Sequence, residues 1–179
     1  MRKLTTTELK RPSVDEFQTA TRLSVTVVLD NVRSAYNVGS VFRTCDAFAV
    51  EKIFLCGITA SPPNREVMKT ALGSTESMRW NYFSSSIEAV RLLKTEGYEI
   101  VLIEQTNESI SLEKFFLGEN KKYAFVFGNE VEGVSNDLLS LADMAIEIPQ
   151  FGTKHSFNIS VSTGIVLWDF YWKMRVYET

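Results

Sequence analysis

Tyr123-Ala124-Phe125-Val126-Phe127-Gly128-Asn129-Glu130-Val131-Glu132-Gly133 joins an apolar run directly to a polar block bounded by two glycines. The first five residues are too few for a helix and too continuously apolar for a half-solvated strand, so they read as a strand buried on both faces. Comparable runs occupy 25–29, 52–55, 99–103 and 144–148. Helical patterns separate them. Residues 39–48 place Val41, Phe42, Cys45 and Phe48 at helical spacing; 86–95 do so with Ile87, Val90, Leu92 and Leu93; 136–142 have Ser135 or Asn136 as N-cap. A last helix is expected from about 158 to 177, apolar on several sides through Ile165, Val166, Trp168, Phe170, Tyr171 and Trp172. Strands alternating with helices predict an α/β domain with a mainly parallel sheet and helices on both faces. Residues 1–22 read as a short helical appendage interrupted at Pro12, and 23–179 as the domain proper.

Open parallel sheets gather ligands beyond the carboxyl ends of their strands. Three polar blocks follow such ends: Asn37-Val38-Gly39-Ser40-Val41-Phe42-Arg43, the Gly128–Gly133 block, and His155-Ser156-Phe157-Asn158-Ile159-Ser160. Together they offer a guanidinium, carboxylates, carboxamides and hydroxyls.

Composition narrows the class. With 179 residues, 45% hydrophobic and 23% charged, the chain is long enough for one well-buried core. No run is long enough to span a membrane, and the first ten residues contain no apolar signal segment. Two cysteines, Cys45 and Cys56, make neither a disulfide framework nor a metal spacing, which predicts reduced thiols in a cytoplasmic protein. Net charge of −3 argues against a sequence-independent nucleic-acid coat but leaves room for a local basic face. No two glycines lie two apart, so G-x-G-x-x-G is absent. Gly128 and Gly133 have P-loop spacing, yet Val134-Ser135 follows where Lys-Ser/Thr is required. His155 is the only histidine, so a multi-histidine metal site is excluded and no metal is expected.

In this order and spacing the three blocks resemble motifs 1, 2 and 3 of the SpoU (TrmH-like) branch of the SPOUT RNA methyltransferases. The resemblance spans roughly residues 23 to 175. It implies a trefoil knot in the C-terminal half, S-adenosylmethionine as cofactor, a homodimer whose site is completed across the interface, and methyl transfer to a ribose 2′-hydroxyl of RNA. Transfer RNA is favoured over ribosomal RNA, because the separate N-terminal RNA-binding domain usual in ribosomal members is not seen. A ribosomal RNA 2′-O-methyltransferase, a non-catalytic RNA-binding relative and a small-molecule methyltransferase are the alternatives.

Residue by residue, the resemblance makes Arg43 the activator of the hydroxyl. A guanidinium stays protonated, so stabilisation of the developing alkoxide is the preferred role. Asn37 would cap the motif 1 helix or hold a catalytic neighbour. Glu130 would orient Arg43 or contact RNA. Ser156 and Asn158 would position the hydroxyl and support Arg43, with capping of the last helix as the plainer role. Gly128 would let the cofactor lie against the backbone, unless it is only a turn glycine. Ile148 and Phe157 would wall the adenine, and Thr106 would line the adenosine pocket. Phe157 stands where the family often has leucine.

Overall fold

The computed structural model describes residues 1–5 and 7–177. In chain order the elements are α1 (Val14–Thr19), β1 (Leu23–Asp30), α2 (Ala35–Ala47), β2 (Val50–Cys56), α3 (Arg65–Ala71), α4 (Ser74–Ser77), β3 (Trp80–Phe83), α5 (Ser86–Thr95), β4 (Tyr98–Ile103), β5 (Ile110–Ser111), β6 (Lys122–Phe127), α6 (Asn136–Leu139), β7 (Met144–Glu147) and α7 (Ile159–Tyr177). The strands form one seven-stranded sheet in the order β3-β2-β1-β6-β4-β7-β5, and every pairing is parallel.

The sheet explains why its strands are apolar at successive positions. Side chains alternate between faces, and helices cover both. Val25, Val27 and Leu29 of β1, with Tyr123, Phe125 and Phe127 of β6, pack beneath α2, α3 and α7. Val28 of β1, with Ala124 and Val126 of β6, packs beneath α5 and α6. Phe170 of α7 meets Tyr123 and Phe125 edge-on, each with ring centroids 5.7 Å apart. The appendage is tied to the body by Gln18 Nε2 donating to Glu76 O (2.9 Å) and Arg22 to Ser77 O (3.0 Å).

Helix α2 begins at Ala35, one turn earlier than the sequence pattern suggests. Ser34 is its N-cap, its Oγ accepting from Asn37 N at 3.3 Å. Gly39 reads as a helix start, yet it is buried inside α2 where α3 crosses. A Cβ there would collide with Thr70 Oγ1, Val67 O and Ala71 N. The short β3 and β5, and α3 and α4, carry too few periodic residues to be read from sequence. Helix α6 ends at Leu139 rather than Ala142, and β7 stops one residue before Ile148.

Candidate active site

The carboxyl ends of β4, β6 and β7 open into one cleft of about 1150 Å³. Thr106 follows β4, the Gly128–Val134 loop follows β6, Ile148 follows β7, and His155–Ile159 closes the rim. Of the nine residues singled out in the sequence, Thr106, Gly128, Glu130, Ile148, Ser156, Phe157 and Asn158 line this cleft.

Asn129 shapes the loop after β6. It exchanges backbone hydrogen bonds with Gly133 (2.8 and 2.9 Å), and its Oδ1 accepts from Val131 N (2.8 Å) and Glu132 N (3.2 Å). Its Nδ2 reaches Asn31 O at 2.8 Å, pinning the loop beside β1. This clamp aims Glu130 at the entrance to α2. The carboxylate accepts from Arg33 N (2.9 Å), Ser34 N (3.1 Å) and Asn37 Nδ2 (3.2 Å). Burial pushes the Glu130 carboxyl up, but the donors from Arg33, its own amide, Ser34 and Asn37 outweigh that push and hold it below its ordinary value. Glu130 is therefore a carboxylate at neutral pH.

Asn37 continues the chain of contacts. With Ser34 serving as cap, its side chain is free to bridge, and its Oδ1 accepts from Asn158 Nδ2 at 3.1 Å. Asn158 Oδ1 in turn accepts from Ser160 N (2.9 Å) and Ser160 Oγ (2.6 Å) at the start of α7. Asn158 thus caps the helix through its amide oxygen while its amide nitrogen reaches motif 1 at Asn37. Glu130, Asn37 and Asn158 form a continuous polar link among the three blocks, which lie far apart in sequence.

Gly128 lines the cleft and Arg43 does not. A Cβ on Gly128 would strike the backbone of Gly133 and Val134, so the glycine is required by its own loop. It lines the cleft as a consequence. Arg43 lies on α2, six residues beyond Asn37, which puts it about 9 Å further along the axis and about 120° around it. It lines a separate groove with Ser40, Thr44, Lys69, Thr70 and Leu72, and within the chain Glu130 is engaged by Arg33, Ser34 and Asn37 instead.

Two structural supports escaped sequence reading. Asp30 is fully buried at the end of β1 and accepts from Ser86 Oγ (2.7 Å), Asn31 Nδ2 (2.8 Å) and Ser135 N (2.7 Å). Glu104 accepts from Val134 N (3.0 Å) and Gln105 N (2.9 Å), holding the far side of the Gly133 turn. A carboxylate ending a buried strand was the available signal for Asp30, since an unpaired buried charge would be costly.

The cleft suits a cationic ligand with a flat apolar part. Its lining includes Glu104, Glu108, Glu130, Glu132, Asp143 and Glu147, with no lysine or arginine. Ile148 and the half-exposed Phe157 offer apolar surface. Among the described residues, the backbone groups of Ser156 and Phe157 and the Ser156 hydroxyl have no hydrogen-bond partner, leaving donors and acceptors at the rim. Among the described residues no cluster of His, Cys, Asp or Glu is arranged to hold a metal. Cys45 and Cys56 are both free and buried, and burial pushes the Cys56 thiol up to about 12.

Comparison with known proteins adds an independent line. A family model described as the SpoU rRNA Methylase family matches residues 24–168. A tRNA (guanosine(18)-2'-O)-methyltransferase of Thermus thermophilus is 30% identical over 163 residues, 91% of this chain and 82% of that one. Among solved structures, the Aquifex aeolicus TrmH/SpoU tRNA modifying enzyme superposes with a TM-score of 0.80 at 26% identity, covering 92% of this chain and 82% of that one. An AdoMet-bound rRNA methyltransferase from Sinorhizobium meliloti gives a TM-score of 0.76 at 26% identity, covering 86% of this chain and 58% of that longer one.

Proposed function

Because the chain belongs to the SpoU rRNA Methylase family, we propose that it transfers a methyl group from S-adenosylmethionine to a ribose 2′-hydroxyl of RNA, with transfer RNA as substrate. The observation that carries this reading is the Glu130–Asn37–Asn158 link, which joins all three polar blocks, with Glu130 and Asn158 lining one cleft. Transfer RNA is favoured by what the Thermus and Aquifex relatives act on. The reading fits a cytoplasmic enzyme, and no helix among the described residues is long and apolar enough to cross a membrane.

S-adenosylmethionine supplies an electrophilic methyl carbon on a positively charged sulfur. The acidic lining of the cleft favours that charge and the cofactor's ammonium group. Ile148 and Phe157 would wall the adenine, with main-chain groups of Ser156 and Phe157 at its polar edge and Thr106 and Gly128 along the adenosine. The Ser156 hydroxyl stands free to orient the incoming 2′-hydroxyl. Asn37 and Asn158 act at one remove, fixing α2 against the start of α7.

Arg43 completes the site from the partner protomer in this proposal, since its own cleft lies around the helix from it. Its guanidinium would stabilise the alkoxide that develops as the hydroxyl loses its proton. Support for a dimer comes from α7: Trp168 and Trp172 are 57% and 59% exposed and lie against each other, an apolar face no described element covers. Support for the knot comes from strand order. β7 lies between β4 and β5, which are consecutive in the chain, so the segment leaving β7 must pass the β4–β5 connection. There Gln105 Nε2 donates to His155 O at 3.2 Å.

The decisive test is transfer of labelled methyl to total RNA followed by nucleoside mapping, which also separates transfer RNA from ribosomal RNA. Arg43→Ala should lower transfer at least about a hundredfold while calorimetric S-adenosylmethionine binding is retained. Normal methylation by Arg43→Ala would refute the assigned role.

A further inference from the structure

Resting on the reading of RNA methyl transfer, we infer that Lys69 is the second cation of an RNA-phosphate clamp formed with Arg43, and that Tyr36 holds it there. The two side chains share a groove of about 380 Å³ between α2 and α3, lined otherwise by Ser40, Thr44, Thr70 and Leu72. Lys69 Nζ sits 5.7 Å from the centroid of the Tyr36 ring, within cation–π range. The helices that carry the pair are locked together: Gly39 permits close approach, and Thr70 Oγ1 donates to Tyr36 O at 2.9 Å. Spacing of the two cations is therefore set by the fold.

Both cations are available. Lys52, Lys94, Lys121 and Lys173 each pair with a carboxylate, whereas among the described residues neither Arg43 nor Lys69 forms an ion pair. The groove's lining contains no Asp or Glu. Its hydroxyl protons are already committed, Ser40 Oγ donating to Tyr36 O (3.0 Å) and Thr44 Oγ1 to Ser40 O (3.0 Å). The charged donors that face outward are thus the guanidinium and the ammonium.

The cofactor cleft makes the need for such a clamp explicit. Apart from Asp143, which pairs with Lys94, its five other carboxylates have no lysine or arginine partner among the described residues and would repel the sugar–phosphate chain of a bound RNA. A ribose that enters the cleft must keep its flanking phosphates on another surface. The Arg43–Lys69 groove pairs two unneutralised cations on neighbouring helices, and a phosphate oxygen can be shared between them.

The test uses the full chain, labelled S-adenosylmethionine and a pool of unmodified transfer RNA transcripts, between about 50 and 200 mM salt. Lys69→Gln should raise KM for RNA about tenfold, with kcat at saturating RNA and affinity for S-adenosylmethionine unchanged. The slope of log affinity against log salt should fall by about 0.7–0.9, the loss of one phosphate contact. Lys69→Arg should keep the wild-type slope, and Tyr36→Leu should reproduce part of the KM rise. A wild-type slope and KM in Lys69→Gln, with RNA methylation intact, would overturn the clamp alone; loss of slope in both Lys69 variants would also overturn it. Wild-type protein that binds cofactor but methylates no RNA would overturn the clamp together with the reading beneath it.

Discussion

Glu130 is a residue whose motif was legible and whose partner was not. The sequence places a carboxylate in a tight turn, which demands a donor; the fold supplies two backbone amides and Asn37 rather than a guanidinium. Its depressed pKa carries a sign. A carboxyl that titrates lower in the folded state than its ordinary value of about 4.3 stabilises the fold above that value and loses the contribution as pH falls through the folded-state value. Glu130→Gln should therefore lower stability at pH 7 by about 1 kcal/mol, about 2–4 °C in melting temperature for a chain of this size. The gap from wild type should be complete above about pH 5 and narrow as pH falls below about 4.3, through the lower folded-state value. Thermal melts of both proteins across that range check it, and a gap that fails to narrow on acidification contradicts it.

At the scale of elements, the α2–α3 crossing matters most, because it sets where both Asn37 and Arg43 point. Gly39 is read from sequence as the start of the helical pattern of residues 39–48. The structure makes it a contact point instead, with backbone atoms of Val67 and Ala71 in the space a Cβ would need. Gly39→Ala pits about 1 kcal/mol of helix propensity against about 1–3 kcal/mol of overpacking. Overpacking should win, because backbone cannot rotate aside as a side chain can. Urea denaturation should show a lower midpoint for the variant; a midpoint at or above wild type would mean the helices separate cheaply. Helix α7 was legible as an aromatic segment from its composition. Which of its aromatics are buried was not: Phe170 enters the core while Trp168 and Trp172 face out, a choice made by the position of α2 and β6.

At the scale of the whole molecule, the cleft is built within one chain and Arg43 stands outside it, so in the proposed dimer cofactor binding and catalysis should separate on dissociation. Replacing Trp168 and Trp172 together by Glu should convert the proposed dimer to monomer in sedimentation experiments. It should abolish methyl transfer and leave S-adenosylmethionine affinity unchanged. A double variant that stays dimeric, or a monomer that still methylates, would place the interface or the catalytic arginine elsewhere. The sequence alone determined the α/β class, the buried parallel strands and the three blocks, because alternation, run length and glycine placement are local properties. It also determined the family, since the blocks keep their order and spacing along the chain. The tertiary structure decided that Gly39 and Gly128 serve backbone packing, that Asn37 bridges instead of capping, and that Arg43 shares a groove with Lys69. Those outcomes depend on which distant segment occupies the neighbouring space, and no periodicity along the chain encodes that.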